Sequence, residues 1–190
     1  MKQLAVHTWP GRVPTPKDGL FAILITTGVQ RDAARRQLRL AVCEALAAVL
    51  RVPAADLSIA SRPGEPPSIL LAGRPTTIGI SISHEDHYSL AAINLHGPIG
   101  ADIMRMQDIA DWQAVAKDYL GPAIRASLQA LSAAEHPHAF TQAWTQREAA
   151  LKCHAQQLSE WQADLPGRSL ALLLPVPGLT GYIHIGDKDA

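Results

Sequence analysis

Two long helical patterns, each set among short strands, constrain this chain more than any other feature. The first runs over Arg31–Arg51, where Leu38, Val42, Ala45, Leu46 and Val49 recur at spacings of three and four and so share one face. Asp32 falls in its first turn, where a carboxylate suits the helix dipole, and Pro53 stops it. The second runs from Glu135 to about Gln157. Leu20–Thr27 is a continuous apolar run of strand length. Ile78–Ser83 sets Ile78, Ile80 and Ile82 against Gly79, Ser81 and Ser83, the alternation of a half-buried strand, and Tyr88–Leu95 reads as its hairpin or meander partner. Leu57–Ala60, Ser68–Leu71, Pro98–Met104, Leu170–Leu174 and Gly181–Ile185 are further strand candidates. Shorter helices are expected over Ile109–Tyr119 and from Gly121-Pro122 to about Leu131. Each half therefore offers a long helix and about three strands, and a division near Gly97-Pro98 makes two comparable α+β lobes, residues 1–97 and 98–190.

Composition narrows the function. A chain of 190 residues that is 47% hydrophobic and 18% charged builds a sizeable core and is not disordered. Seventeen basic residues balance seventeen acidic ones, which argues against nucleic acid or membrane as a partner. Positive charge is concentrated locally, at Arg31, Arg35, Arg36 and Arg39. Cys43 and Cys153, both in helical segments, make no disulfide framework and favour a reducing cytoplasm. Met1–Arg12 lacks the charge-then-apolar pattern of a signal peptide, and no apolar stretch approaches the roughly 18 residues of a membrane span. A cytoplasmic monomer is expected.

Three segments carry the candidate chemistry, in the order Ser81-Ile82-Ser83-His84, Ile99-Gly100-Ala101-Asp102-Ile103-Met104, and Trp144-Thr145-Gln146-Arg147-Glu148-Ala149-Ala150-Leu151-Lys152. An imidazole, a carboxylate on a strand and a carboxylate flanked by cations on a helix suit a divalent metal holding a diphosphate. Each residue also has a plainer reading. Asp102 is equally a strand-end cap or salt-bridge partner. Glu148 and Lys152, one turn apart, are also a surface ion pair, although Phe140, Trp144 and Leu151 make that helix partly apolar. His84 can donate to a phosphate with Ser83 adding a hydroxyl, or be a satisfied strand-end histidine. Arg35 and Arg39 are a phosphate clamp or a solvated face. His136-Pro137-His138 does not make a metal motif, and no Walker, Rossmann or Gly-x-Ser-x-Gly pattern occurs.

Taken together, Gly64-Glu65-Pro66, Ser83-His84, Gly100-Ala101-Asp102-Ile103-Met104 and Trp144-x-x-Arg147-Glu148-x-x-x-Lys152 resemble the 4′-phosphopantetheinyl transferases of the surfactin-synthetase-activating type. The resemblance spans about Arg31–Lys152. It implies two pseudo-twofold-related lobes, each a small mostly antiparallel sheet on a long helix, with coenzyme A in the cleft between them. It implies transfer of 4′-phosphopantetheine from coenzyme A to a serine of an apo acyl or peptidyl carrier protein, releasing 3′,5′-ADP. Asp102 and Glu148 would bind Mg²⁺; Arg35, Arg74, Ser83, His84 and Lys152 would contact coenzyme A; Glu148, Arg147 and Lys152 would serve the chemical step. The chain departs from the family pattern at Glu65 (a lysine there), which Arg74 of Gly73-Arg74-Pro75 could replace, at Met104 and Ile124 (acidic), and at Arg147 (lysine). These departures leave a second expectation, a degenerate member that binds carrier protein or coenzyme A without catalysis.

Overall fold

The computed structural model describes residues 3–28, 30–62 and 64–186. The fold is α+β, with one mixed sheet of nine strands. The strands are β1 (Gln3–Thr8), β2 (Leu20–Thr26), β3 (Leu57–Ala60), β4 (Ser68–Leu71), β5 (Arg74–Glu85), β6 (Tyr88–Asn94), β7 (Gly100–Arg105), β8 (Arg168–Leu173) and β9 (Leu179–Ile185). The helices are α1 (Arg31–Leu50), α2 (Trp112–Val115), α3 (Gly121–Gln129) and α4 (His136–Cys153).

Strand order is β3-β4-β5-β6-β2-β1-β8-β9-β7. The pairs are antiparallel except those of β1, which runs parallel to β2 on one side and β8 on the other. β1 thus joins the strands of the first half to β8, β9 and β7 of the second. Where two small sheets were expected, one continuous sheet is found.

The apolar run of β2 is explained by burial on both faces. Phe21, Ile23 and Ile25 pack with Leu38, Val42, Ala45 and Leu46 of α1. Leu20, Ala22 and Leu24 pack with Ile99, Ala101, Ile103 and Ile183 on the other side. Helix α1 ends at Arg51, whose φ of 58° breaks the helical repeat. Helix α4 is shorter than its sequence pattern, closing at Cys153 just before Ala155 turns to a φ of 54°. The segment expected as a helix over Ile109–Tyr119 is instead the single turn of α2 followed by a π turn over Ala116–Leu120.

The sheet curls until β7 lies alongside β5. These strands share no backbone ladder. Ser81 Oγ accepts the Ala101 N–H (2.9 Å), Ser83 Oγ the Ile103 N–H (3.2 Å) and Glu85 Oε1 the Arg105 N–H (2.8 Å). The small polar face of β5 therefore satisfies alternate amides along the edge of β7, which would otherwise be unpaired. Gly79 continues this face: a Cβ there would lie 2.0 Å from the Gly97 carbonyl oxygen.

Candidate active site

Closing β5 against β7 brings His84 at the end of one strand beside Asp102 in the middle of the other. Helix α4 lies across β7 and β9 and supplies Lys152; Glu148, on the same helix, is near enough to feel the Asp102 charge but does not line the cavity. The N-terminus of α1 supplies Arg31 and Arg35. A cavity of about 490 Å³ opens between them, lined by Arg31, Arg35, Ser83, His84, Asp102 and Lys152 among others.

Asp102 is the centre of this arrangement and is almost buried, at 9% exposure. Its Oδ1 accepts from Lys152 Nζ at 2.7 Å and from Ser83 Oγ at 2.8 Å. Oδ2 takes no hydrogen bond from the described residues, so one carboxylate oxygen remains available. Ser83, which also accepts the Ile103 amide, is committed to orienting Asp102. Burial and the nearby Asp102 charge push the Glu148 carboxyl above its ordinary range, partly offset by Lys152 and Arg147. Glu148 also takes no hydrogen bond from the described residues.

His84 stands at the cavity rim with Nδ1 held by Ser89 Oγ at 2.7 Å. Partial burial, then the charges of Arg35, Lys152 and Arg31, lower its pKa and so disfavour the cationic ring. Arg31 and Arg35 are one turn apart at the start of α1, where the helix dipole adds positive potential. The cavity thus presents cationic side chains and an imidazole around an open oxygen of Asp102, with Glu85 and Asp86 also on its wall. Such a surface takes a polyanion together with a hard cation.

Two expected residues lie elsewhere. Arg74 begins β5, ten residues before His84 and so roughly 30 Å away along an extended strand. It does not line this cavity. Arg147 faces a second cavity of about 510 Å³, walled by Leu120, Ile124, Ala143, Ala150 and Trp161. Arg147 Nη1 donates to the Ala163 carbonyl at 3.3 Å, and its Nε is buried without a hydrogen-bond partner among the described residues. Of the arginine cluster, the pair that reaches the first cavity is Arg31 and Arg35; Arg39 does not. Spacing alone leaves both pairs open, and the nearness of the helix start is the signal that would have chosen Arg31. Thr27 and Ser89, behind His84, were not anticipated; the Tyr88–Leu95 strand paired with Ile78–Ser83 was the available pointer. Met104 follows Asp102 on the same face of β7 and offers a thioether where a hard cation prefers oxygen.

The part of the chain that supplies Asp102, Glu148 and Lys152 is also the part that matches a known family. Residues 98–167 match the model of the 4′-phosphopantetheinyl transferase superfamily. The match covers this segment and less than half of the chain. The family uses coenzyme A as substrate and acts on carrier proteins. Among curated proteins, none matches the chain. The matched segment begins at Pro98, just before β7, and ends at Gly167, just before β8, so it spans the acidic strand and the helix that answers it. No helix among the described residues is long and apolar enough to cross a membrane.

Proposed function

We propose that this chain is a Mg²⁺-dependent phosphopantetheinyl transferase of the surfactin-synthetase-activating type. It moves 4′-phosphopantetheine from coenzyme A to a serine of an apo acyl or peptidyl carrier protein. The observation that carries this reading is the buried Asp102, held on one oxygen by Ser83 and Lys152 and open on the other, inside a cavity rimmed by Arg31, Arg35 and His84. On this reading residues 1–97 and 98–190 are the two halves of one site, since the cavity draws side chains from both.

The donor set fits Mg²⁺. Among the described residues no group of three or more His, Cys, Asp or Glu gathers as a metal cage. Mg²⁺ needs no such cage: it binds through one or two carboxylates and completes its shell with water and substrate phosphate. Asp102 and Glu148 are those carboxylates: burial first, and then the Asp102 charge, raise the proton affinity of Glu148, and a bound cation would offset both. When bound, the metal would neutralise charge developing on the phosphoryl oxygens.

The rest is done by the chain's own side chains. Arg31, Arg35 and Lys152 bind the phosphates of coenzyme A, and His84 donates to a phosphoryl oxygen. The carrier serine oxygen attacks the β-phosphorus, a new P–O bond forms, and the bond to 3′,5′-ADP breaks. The serine proton passes to the Glu148 carboxylate, the acidic side chain that α4 holds beside Asp102. Arg74 and Arg147 stand outside this cavity, and Arg147 acts on the step only through its charge on Glu148.

The test is transfer itself. Incubation with coenzyme A, Mg²⁺ and apo carrier proteins should add one phosphopantetheine to the carrier serine, read by intact-protein mass spectrometry, and Asp102→Ala should stop it. Coenzyme A binding without transfer to any carrier would establish the degenerate, binding-only member. No coenzyme A binding would refute the proposal outright.

A further inference from the structure

Behind His84 lies a chain of buried hydroxyls. Ser89 sits directly opposite His84 in the β5–β6 register and is wholly buried, at 0% exposure. Its Oγ is 2.7 Å from His84 Nδ1 and 2.9 Å from Thr27 Oγ1 at the end of β2. Thr27 is buried as well, and its own amide donates to the His87 carbonyl.

Each hydroxyl has one hydrogen to place, so a chain passing through Ser89 runs in one of two directions; Ser89 accepting from both sides would leave its own buried hydrogen without a partner among the described residues. If Thr27 donates to Ser89 and Ser89 donates to Nδ1, both hydroxyl hydrogens are used and the ring proton is on Nε2. If Nδ1 donates to Ser89 and Ser89 to Thr27, the Thr27 hydrogen finds no acceptor among the described residues. Thr27 borders the cavity, so in that direction its hydrogen has only solvent to meet, whereas the first direction satisfies both hydroxyls within the fold and is favoured. Nε2, which takes no hydrogen bond from the described residues, then carries the proton at the cavity rim.

We propose that Ser89, backed by Thr27, is a positioning residue that holds His84 as the neutral Nε2–H tautomer aimed into the cavity. His84 can then donate to a phosphoryl oxygen without first becoming a cation among Arg31, Arg35 and Lys152. The role in phosphate binding rests on the function proposed above; the tautomer assignment does not.

The two are tested separately. Two-bond ¹⁵N–¹H imidazole spectra of the ligand-free protein, at about pH 8 where histidine is neutral, should show His84 purely as Nε2–H. In Ser89→Ala it should become a tautomer mixture, and Thr27→Val should move it the same way while Thr27→Ser restores it. Titration with coenzyme A without metal should show affinity about five- to tenfold weaker for Ser89→Ala, the scale of one hydrogen bond. That loss should vanish in a His84→Ala background. An Nδ1–H tautomer in the wild type, an unchanged ratio in both Ser89→Ala and Thr27→Val, or an equal affinity loss without His84 would overturn the proposal. Wild-type protein that shows the Nε2–H form but binds no coenzyme A would overturn the function proposed above and leave the positioning intact.

Discussion

Gly100 is the point where β7 comes closest to α4, and a single methyl there tests how tightly the acidic strand must sit. A Cβ on Gly100 would lie 1.8 Å from the Ala149 carbonyl oxygen and 2.4 Å from the Cys153 amide nitrogen. It would press on a backbone hydrogen bond of α4, which has no flexible end to swing aside. Reaching the 3.0 Å below which Cβ atoms are essentially never found requires a shift of at least 1.2 Å, the difference of 3.0 and 1.8. Asp102 is two residues along the same strand, and Lys152 on α4 holds it at 2.7 Å. Moved apart by the same amount, the pair would stand 3.9 Å apart, the sum of 2.7 and 1.2, beyond hydrogen-bond range. Overpacking of this kind costs about 1–3 kcal/mol. In a chain of this size each kcal/mol lowers Tm by about 2–4 °C, so Gly100→Ala should melt roughly 2–12 °C lower. A misplacement near 1 Å costs on the order of a hundredfold in rate, about 2.7 kcal/mol of barrier. Calorimetry and the carrier-modification assay, run on the same preparation, read both. Wild-type Tm with wild-type turnover would refute the reasoning, because it would mean that α4 and β7 separate freely without disturbing Asp102.

Two further outcomes follow from the placement of Arg147 and His84. Arg147→Lys should change turnover by less than about tenfold, or 1.4 kcal/mol, because the side chain faces the second cavity and not Asp102; a hundredfold rise in the carrier assay would mean that arginine impairs the site directly. The His84 pKa is lowered in the folded protein, by burial first and then by Arg35, Lys152 and Arg31, so the unfolded chain binds this proton more readily. The stability it contributes is therefore whole above the unfolded value of about 6.5 and is lost as pH falls toward the lowered value. Urea midpoints measured across that window should fall less steeply in His84→Gln, and identical slopes would count against the shift.

What could be read from the residues, and what could not, divides along a physical line. Local periodicity gives the α1 face of Leu38, Val42, Ala45 and Leu46, and the alternation of Ile80 and Ile82 against Ser81 and Ser83, because both patterns record which side is buried. Pairing between distant strands leaves no such record. Nothing within β1 says that it lies parallel to both β2 and β8, so the continuity of the sheet is invisible until the chain is folded. The order Ser83-His84, Asp102, Glu148, Lys152 suggested a chemistry, and the structure gathers Ser83, His84, Asp102 and Lys152, though not Glu148, around one cavity. Arg74 was suggested by proximity in sequence to a loop motif, and strand geometry carries it to the far end of β5.

The serines of β5 show why a motif can be right in position and silent about role. Ser83 beside His84 reads as a second phosphate donor, yet its hydroxyl is spent on the Ile103 amide and the Asp102 carboxylate. The same spacing repeats at Ser81 and Glu85, each of which accepts an amide of β7. A face that runs glycine, serine, serine, glutamate along one strand is therefore a substitute for a missing strand partner. It lets β7 lie beside β5 and still turn Asp102 toward the cavity. Helix α4 makes a parallel point. Glu148 follows Arg147 by about 100° around the helix, so Arg147 faces the second cavity while Glu148 feels the Asp102 charge. Lys152 returns to the face of Glu148 one turn later, which is why it, and not Arg147, closes on Asp102. Charge at position 147 consequently reaches the site only through Glu148, whose ionised form it favours, while charge at position 152 is bound to Asp102 directly.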